Sequence, residues 1–281
     1  MKKVVLSISA MLFVGAISYA QVNNSDVHQM GSTQAATVHQ IGWAQGSEID
    51  QAGSNNRSEV YQGVKPTNTR LSHHNKADVF QDGRRNSAFI SQSNYFNDAK
   101  QTQNGDRNEA TIWQDELGNI GNMAQNQGHD KGVQNQRGNN NKATIDQGTA
   151  GVLAPTFCPD PIPSAPFMPH GYNTATQTQT GNYGIAYAAQ GGVGNTSSQT
   201  QNGTFATLGN ENISNHYQYG NNNSATSTQT GWRNLDNLLQ VGNGNTATVN
   251  QTTTSIGAGN MSVICQPSMG STATVTQHSI F

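Results

Sequence analysis

Residues 105–114 read GDRNEATIWQ. A Gly is followed three residues later by Asn, and then Ala, Ile and Gln take every second position. GNNNKATIDQ (138–147) and GNGNTATVNQ (242–251) repeat the arrangement. Alternation with a period of two marks a strand with one fixed face and one free face. The fixed face reads Asn, Ala or Ser, aliphatic, Gln. The free face carries Glu109, Thr111 and Trp113 in one copy and Lys142, Thr144 and Asp146 in another. The Gly and its neighbours supply a turn.

Gln marks the period along the chain. It stands at Gln29, Gln40, Gln51 and Gln62, then at Gln81, Gln92, Gln103, Gln114, Gln125, Gln136 and Gln147. It returns at Gln179, Gln190 and Gln201, at Gln218, Gln229, Gln240 and Gln251, and at Gln266 and Gln277. Within each run the spacing is eleven residues. Six positions earlier stands Asn in most units, as at Asn86, Asn97, Asn108, Asn141, Asn223, Asn234 and Asn245. Four positions earlier stands Ala or Ser, and two positions earlier usually an aliphatic residue such as Ile49, Ile90, Ile112 or Val249.

One eleven-residue unit cannot bury its own face. Two strands joined by turns make a 22-residue rung, and rungs stacked about 4.8 Å apart pair each strand with copies above and below. A buried amide without a partner is costly. In a stack each amide donates to one neighbour and accepts from the other, as in the Asn/Gln ladders of cross-β structure. The small Ala or Ser lets the sheets approach closely. The sequence therefore predicts an all-β, cross-β-like β-solenoid. It has about twenty short strands in two parallel sheets face to face, roughly 48 Å tall at the usual spacing. The Gln and Asn named above form its ladder.

The register breaks between Gln62 and Gln81 and at 148–172, 202–211 and 252–259; these stretches read as loops projecting from a continuous stack. The longest contains APTFCPDPIPSAPFMPHG (154–171), whose Pro density excludes a strand. Residues 1–20 differ from all the rest. Lys2 and Lys3 precede an apolar stretch that ends at Ser18-Tyr19-Ala20, the pattern of a secretory signal peptide cleaved after Ala20. The expected organisation is thus a signal peptide (1–20), charged repeats (21–147), the Pro-rich insertion (148–172) and charge-poor repeats (173–281). No further apolar stretch is long enough for a membrane span in the mature chain, and a secreted, extracellular product is expected.

Only 11% of the residues are charged and the net charge is −2, with no basic stripe, which argues against a nucleic-acid partner. Residues 21–150 carry most of the charges, whereas residues 171–281 carry Glu211, Arg233 and Asp236. Charges on strands and edges restrain uncontrolled pairing. The C-terminal half is therefore expected to assemble faster. Cys158 lies in the Pro-rich loop and Cys265 faces outward by phase. A bridge between them, two free thiols and a bridge between subunits all fit the pair.

The tandem Q-x4-N-x5-Q half-repeats, complete in Gln81-x4-Asn86-x5-Gln92 and Gln240-x4-Asn245-x5-Gln251, resemble the curlin repeat. The resemblance covers about residues 23 to 277. It implies a secreted subunit of curli, the functional amyloid fibres of bacterial biofilm matrix, supporting adhesion and aggregation. It also implies copies of itself and related curlin subunits as partners, a dedicated outer-membrane secretion pore and a nucleating subunit. The chain departs from the family in its repeat number, roughly double the usual, and in its Pro-rich insertion.

Chemistry is hard to find, and neither an enzyme nor a cofactor is expected. His28 and His39 face outward on opposite sheets, and His73-His74 reads as a solvated loop rather than a metal site. GGVGNT (191–196) lies on the regular period and lacks the Lys-Ser/Thr ending of a phosphate loop. Asp106, Asp115 and Glu116 sit near turns, where carboxylates are solvated. Asp does not follow the period, as a calcium-binding nonapeptide would require. Trp43, Trp113 and Trp232 fall on outward or turn positions. The competing reading is a soluble secreted β-solenoid displaying a binding face, of adhesin or ice-binding type. Outward Thr174, Thr176 and Thr178 suggest it, but the outward face changes from rung to rung. A polysaccharide lyase on a β-helix would need a charged groove, which the sequence lacks.

Overall fold

The structure, a computed structural model, describes residues 22–63, 72–93, 95–114, 129–148, 158, 171–203, 211–254 and 259–279. In chain order the described strands are β1 (Asn24–Ser32), β2 (Ala35–Gln40), β3 (Gly46–Ser54), β4 (Arg57–Gln62), β5 (Lys76–Arg84), β6 (Ser87–Gln92) and β7 (Asp98–Asp106). Then come β8 (Glu109–Gln114), β9 (Lys131–Arg137), β10 (Lys142–Gln147), β11 (Thr174–Gly181), β12 (Ile185–Gly191) and β13 (Thr196–Gly203). The last are β14 (Ile213–Tyr219), β15 (Ser224–Thr230), β16 (Leu235–Val241), β17 (Thr246–Thr253), β18 (Met261–Gln266) and β19 (Thr272–Ser279). The odd-numbered strands form a ten-stranded sheet in the order β1 to β19, and the even-numbered strands a nine-stranded sheet from β2 to β18. Every pairing is parallel and in register, Gln upon Gln. The fold is thus a β-solenoid of two facing parallel sheets.

The turns explain two sequence signals. Gly53, Gly83, Gly105 and Gly138, two residues after a ladder Gln, adopt φ between 99° and 126°. A Cβ on Gly83 would stand 2.0 Å from the carbonyl oxygen of Gly105, so only Gly lets successive turns nest. The residue just before each ladder Asn takes the left-handed region even when it is bulky, as at Arg85, Phe96 and Arg107 with φ near 57°. That conformation is costly for a side-chain-bearing residue. The Asn that follows secures it, as described below.

The register survives the expected interruptions. Gln51 pairs with Gln81 across 64–71, and Gln147 pairs with Gln190 across 149–170. A fifth break was not legible. Gln125 lies outside the described residues, and β7 pairs directly with β9 and β8 with β10. No strand therefore stands between them in either sheet, and nineteen strands are described where about twenty were expected. The core gives a reason. In the odd sheet Gln101 stacks on Gln134, and Gln134 on Gln177. A unit ending at Gln125 would lay Met123 on Gln101 and move Gln134 into the opposite sheet. Both changes strand buried amides.

The core is layered along the axis. Ile49, Val60, Val79, Ile90, Ile112 and Ile145 form one apolar cluster with Ala77, Ala88, Ala99, Ala175 and Ala188. Ala225, Leu238, Ala247, Val249 and Ile264 form a second. Each buried aliphatic contributes about 1.5–3 kcal/mol. Gly132 sits at an Ala/Ser position because a Cβ there would press on Ile112 at 3.0 Å. Between the two clusters the interior is polar.

Candidate functional site: the amide ladders and the open strands

Within the stack, ladder Gln residues make both an axial and a crosswise donor bond, which fix their orientation. Gln51 Nε2 donates to Gln81 Oε1 at 2.7 Å along the axis and to the Ala35 carbonyl across the core. Gln62 repeats this with Gln92 and Gly46, and Gln103 with Gln136 and Ser87. The crosswise bond requires the NH2 group on that side, so the axial direction is not free to flip. In the odd sheet the chain of donors runs Gln29, Gln51, Gln81, Gln103, Gln136, Gln179, Gln201, Gln229, Gln251, Gln277. In the even sheet it runs Gln40, Gln62, Gln92, Gln114, Gln147, Gln190, Gln218, Gln240, Gln266. All bonds point the same way, N–H toward the C-terminal end.

The Asn residues also form ladders, mostly through the backbone of the neighbouring rung; amide bonds amide along the axis in Asn212, Asn234 and Asn260. Asn108 Oδ1 accepts the backbone N–H of Asn141 at 3.0 Å, while Asn108 Nδ2 donates to the Gly138 carbonyl at 2.8 Å. Asn86 does the same with Asn108 N–H and the Gly105 carbonyl, and Asn141 with Gly184 N–H and the Gly181 carbonyl. Asn97 Oδ1 holds Asp130 N–H, and Asn223 Oδ1 holds Asn245 N–H. Asn223 also donates to the Gly242 carbonyl, and Asn245 to the Val241 carbonyl. Asn234 Nδ2 donates to Asn212 Oδ1 and to the Thr230 carbonyl. The shorter side chain stays beside the turn and ties it to the neighbouring turn, which offsets the strain before it.

Sequence reading missed a second ladder. Gln101, Gln134, Gln177 and Gln199 occupy the aliphatic position and bond in series at 2.8–3.0 Å. Their signal was present as Gln two residues before Gln. It also missed a buried constellation one rung beyond. Ser197 Oγ contacts His216 Nδ1 at 2.9 Å, His216 Nε2 contacts Asp236 Oδ2 at 3.2 Å, and Ser214 Oγ donates to Asp236 at 3.4 Å. His216 and Asp236 are both 0% exposed, so this Ser–His–Asp set meets no substrate and is a core contact. Asp236 is therefore not a surface charge restraining assembly. Its place in the Ala/Ser column and that of His216 in the aliphatic column could have been read from phase.

Most of the described surface charges lie in the N-terminal half. Lys76 Nζ pairs with Asp78 at 2.7 Å, and Lys142 with Glu109 of the neighbouring rung at 3.3 Å. Arg84 bonds Asp106 one rung along, which lowers the carboxyl below its ordinary range. Arg57 also pairs with Glu59. His73-His74 belongs to a regular turn, not a solvated loop. His73 bridges Trp43 and Tyr95. His74, Phe96, His129 and Tyr172 stack in one column with centroids 4.8 Å apart. Burial, and then the charge of His74, hold His73 below its usual value. Among the described residues no group of three or more metal-ligating side chains forms. No described helix is long and apolar enough to cross a membrane.

The structure joins Cys158 to Cys265, with Cα atoms 6.1 Å apart. The bond ties a residue between β10 and β11 to β18, the last strand of the even sheet.

Among the described residues no strand pairs with the outer edges of β1 and β2 at one end or of β18 and β19 at the other. At the N-terminal end Gln29 and Gln40 keep axial acceptors; at the C-terminal end Gln266 and Gln277 keep axial donors. Compared with known families and curated proteins, the chain matches no family model and no curated protein.

Proposed function

We propose that the chain is a secreted structural subunit that self-assembles end to end into curli-like amyloid fibres of the cell surface and biofilm matrix, where it supports adhesion and aggregation. The observation that carries this reading is the pair of one-way Gln ladders ending in open strands. One end is all donors and the other all acceptors, and both carry unpaired backbone groups. Each end is a template for a further copy. Copies of itself and related curlin subunits are the proposed partners, reached through a curli-type secretion pore and nucleator. The ladder residues are the proposed assembly site, and no catalytic role is assigned.

The test is the chain from residue 21, incubated at micromolar concentration, with thioflavin fluorescence followed by fibre diffraction. Growing fibres with reflections near 4.7 and 10 Å are expected. A stable strand-rich monomer without fibres would sink the reading in favour of a soluble display solenoid.

A further inference from the structure

Among the described residues the two sheets hold different numbers of strands, ten and nine. The difference constrains how one copy can stack on another, given the fibre reading above. Strands alternate between sheets along the chain, so the stack begins with β1 and ends with β19 in the same sheet. Suppose a second copy docked without rotation, its β1 on β19 of the first. Its β2 would then stand over β18 at twice the usual separation, about 9.6 Å instead of about 4.8 Å. One strand would be missing from the even sheet at every joint. The exposed backbone edge of β18 would stay unpaired, and Ile264, 5% exposed in the described stack, would lose its chance of cover at the joint.

A half-turn about the stack axis removes the gap. It exchanges the two sheets while preserving strand direction, because facing strands run in opposite senses. The incoming β1 then lies on β18 and its β2 on β19, each at the ordinary spacing. The ladders meet correctly: Gln266 Nε2 faces Gln29 Oε1, and Gln277 Nε2 faces Gln40 Oε1. Gln266 and Gln277 each spend one N–H across the core, on Thr246 and Met261, and have the axial N–H left. Gln29, at the start of the odd sheet, has no crosswise bond among the described residues, whereas Gln40, one strand later, donates to the Asn24 carbonyl. In the half-turn joint the Thr272 carbonyl of β19 takes the place that the Asn24 carbonyl has for Gln40. Val27 and Val38, the inward aliphatics of β1 and β2, come to lie on Ile264 and Val275.

We infer that successive copies of this chain join with a half-turn about the fibre axis, β1 on β18 and β2 on β19, so that the odd strand count is absorbed by alternating the sheets. Each copy advances the fibre by about 46 Å, and like faces recur only every second copy, at about 91 Å. The Cys158–Cys265 tether consequently appears on alternate sides of the fibre.

Crosslinking distinguishes the two joints. Asn24, Met261 and Thr272 occupy the same outward register position on β1, β18 and β19. Parallel neighbours in register stand at a separation within the Cα window of a disulfide. Fibres of the Asn24→Cys/Met261→Cys variant should become covalent ladders of chains on mild oxidation, and those of Asn24→Cys/Thr272→Cys should not. Ladders from the Thr272→Cys variant alone, in fibres with cross-β diffraction, would overturn the half-turn but leave the fibre reading intact. Cross-β fibres in which neither variant crosslinks would overturn this joint. Absence of fibres from the unmodified chain would overturn the fibre reading and this inference with it.

Discussion

Two residues before the ladder Gln, β4 to β10 of the even sheet send Val60, Ile90, Ile112 and Ile145 into the core, whereas β12 and β14 send Ala188 and His216, with Ser214 and Asp236 in the Ala/Ser column beside them; Leu238 of β16 then begins the second apolar cluster. The backbone and the Gln ladders are the same in both regions. The difference shows that register and core are specified separately here. Amides set which residue lies over which, and the columns between them are free to be aliphatic or polar. The structure's one described covalent tie, Cys158–Cys265, joins a residue ahead of the polar section to β18 beyond it. In a stack whose stability is a sum of neighbour terms, each section should respond to its own changes.

Removing the tie should have the largest effect. The bonded cysteines are 107 residues apart. In the chain-entropy account a loop of that size is worth about 4.7 kcal/mol. Replacing Cys158 and Cys265 by Ser should lower the denaturation midpoint accordingly. Hydrogen exchange should quicken in β12 to β18 and stay unchanged in β3 to β8. Uniform quickening would show that the two regions are one cooperative unit.

Next in size is the apolar section. Ile112 is fully buried and packs over Gly132, where no side chain can follow it into the space. Ile112→Ala should cost about 2–5 kcal/mol. Its exchange signature should mirror the first, with β6 to β10 quickened and β14 to β18 unaffected.

The polar section should yield a gain. Asp236 Oδ1 has no partner among the described residues. Buried ion-pair networks replaced by apolar groups of similar volume are often neutral or stabilising by about 1–4 kcal/mol. His216→Leu with Asp236→Ala makes the section resemble its apolar neighbours, and the double variant should be more stable than the parent. Asp236→Ala alone should be destabilising by about 1–3 kcal/mol, because His216 Nε2 loses its acceptor. A double variant no better than the single would break the view that the columns are independent of the ladders.

The same separation explains what the sequence disclosed. The Gln at eleven-residue spacing are visible because every rung must repeat them, and they announced two parallel sheets in register. Turn Gly is visible because nested turns exclude a Cβ. Gln125 shows the limit. It keeps the spacing, yet the pairing of Gln103 with Gln136 is set by Gln101 and Gln134 two residues earlier, a compatibility between rungs that a period cannot express. The Asn ladder was legible as well, but not its pattern: with one fewer methylene than Gln, most of these amides stay at the turn and reach the backbone of the next rung. His73 and His74 were misplaced because the break at 64–71 hid that the turn after it is regular.

The smallest expected effect lies at that turn, and it is a matter of pH. His73 stacks on Tyr95 at 4.0 Å between centroids and contacts His74 Nδ1 at 2.9 Å. Burial first, and then the His74 charge, lower its pKa from 6.5, against a smaller opposing backbone hydrogen bond. The folded turn therefore binds a proton less readily than the unfolded chain. As pH falls through 6.5 the unfolded chain takes up the proton first, and by linkage the folded turn loses stability. Its contribution is fully present above that value and declines as pH drops toward the lowered one. Amide exchange in 72–75 and 95–97 should quicken on acidification over this window, while β16 to β18 stay constant. A His73 variant isolates this group. His73→Phe keeps a ring against Tyr95 and removes the titrating group. Its turn should lose most of the acid response, and an undiminished response would show that His73 is not its source.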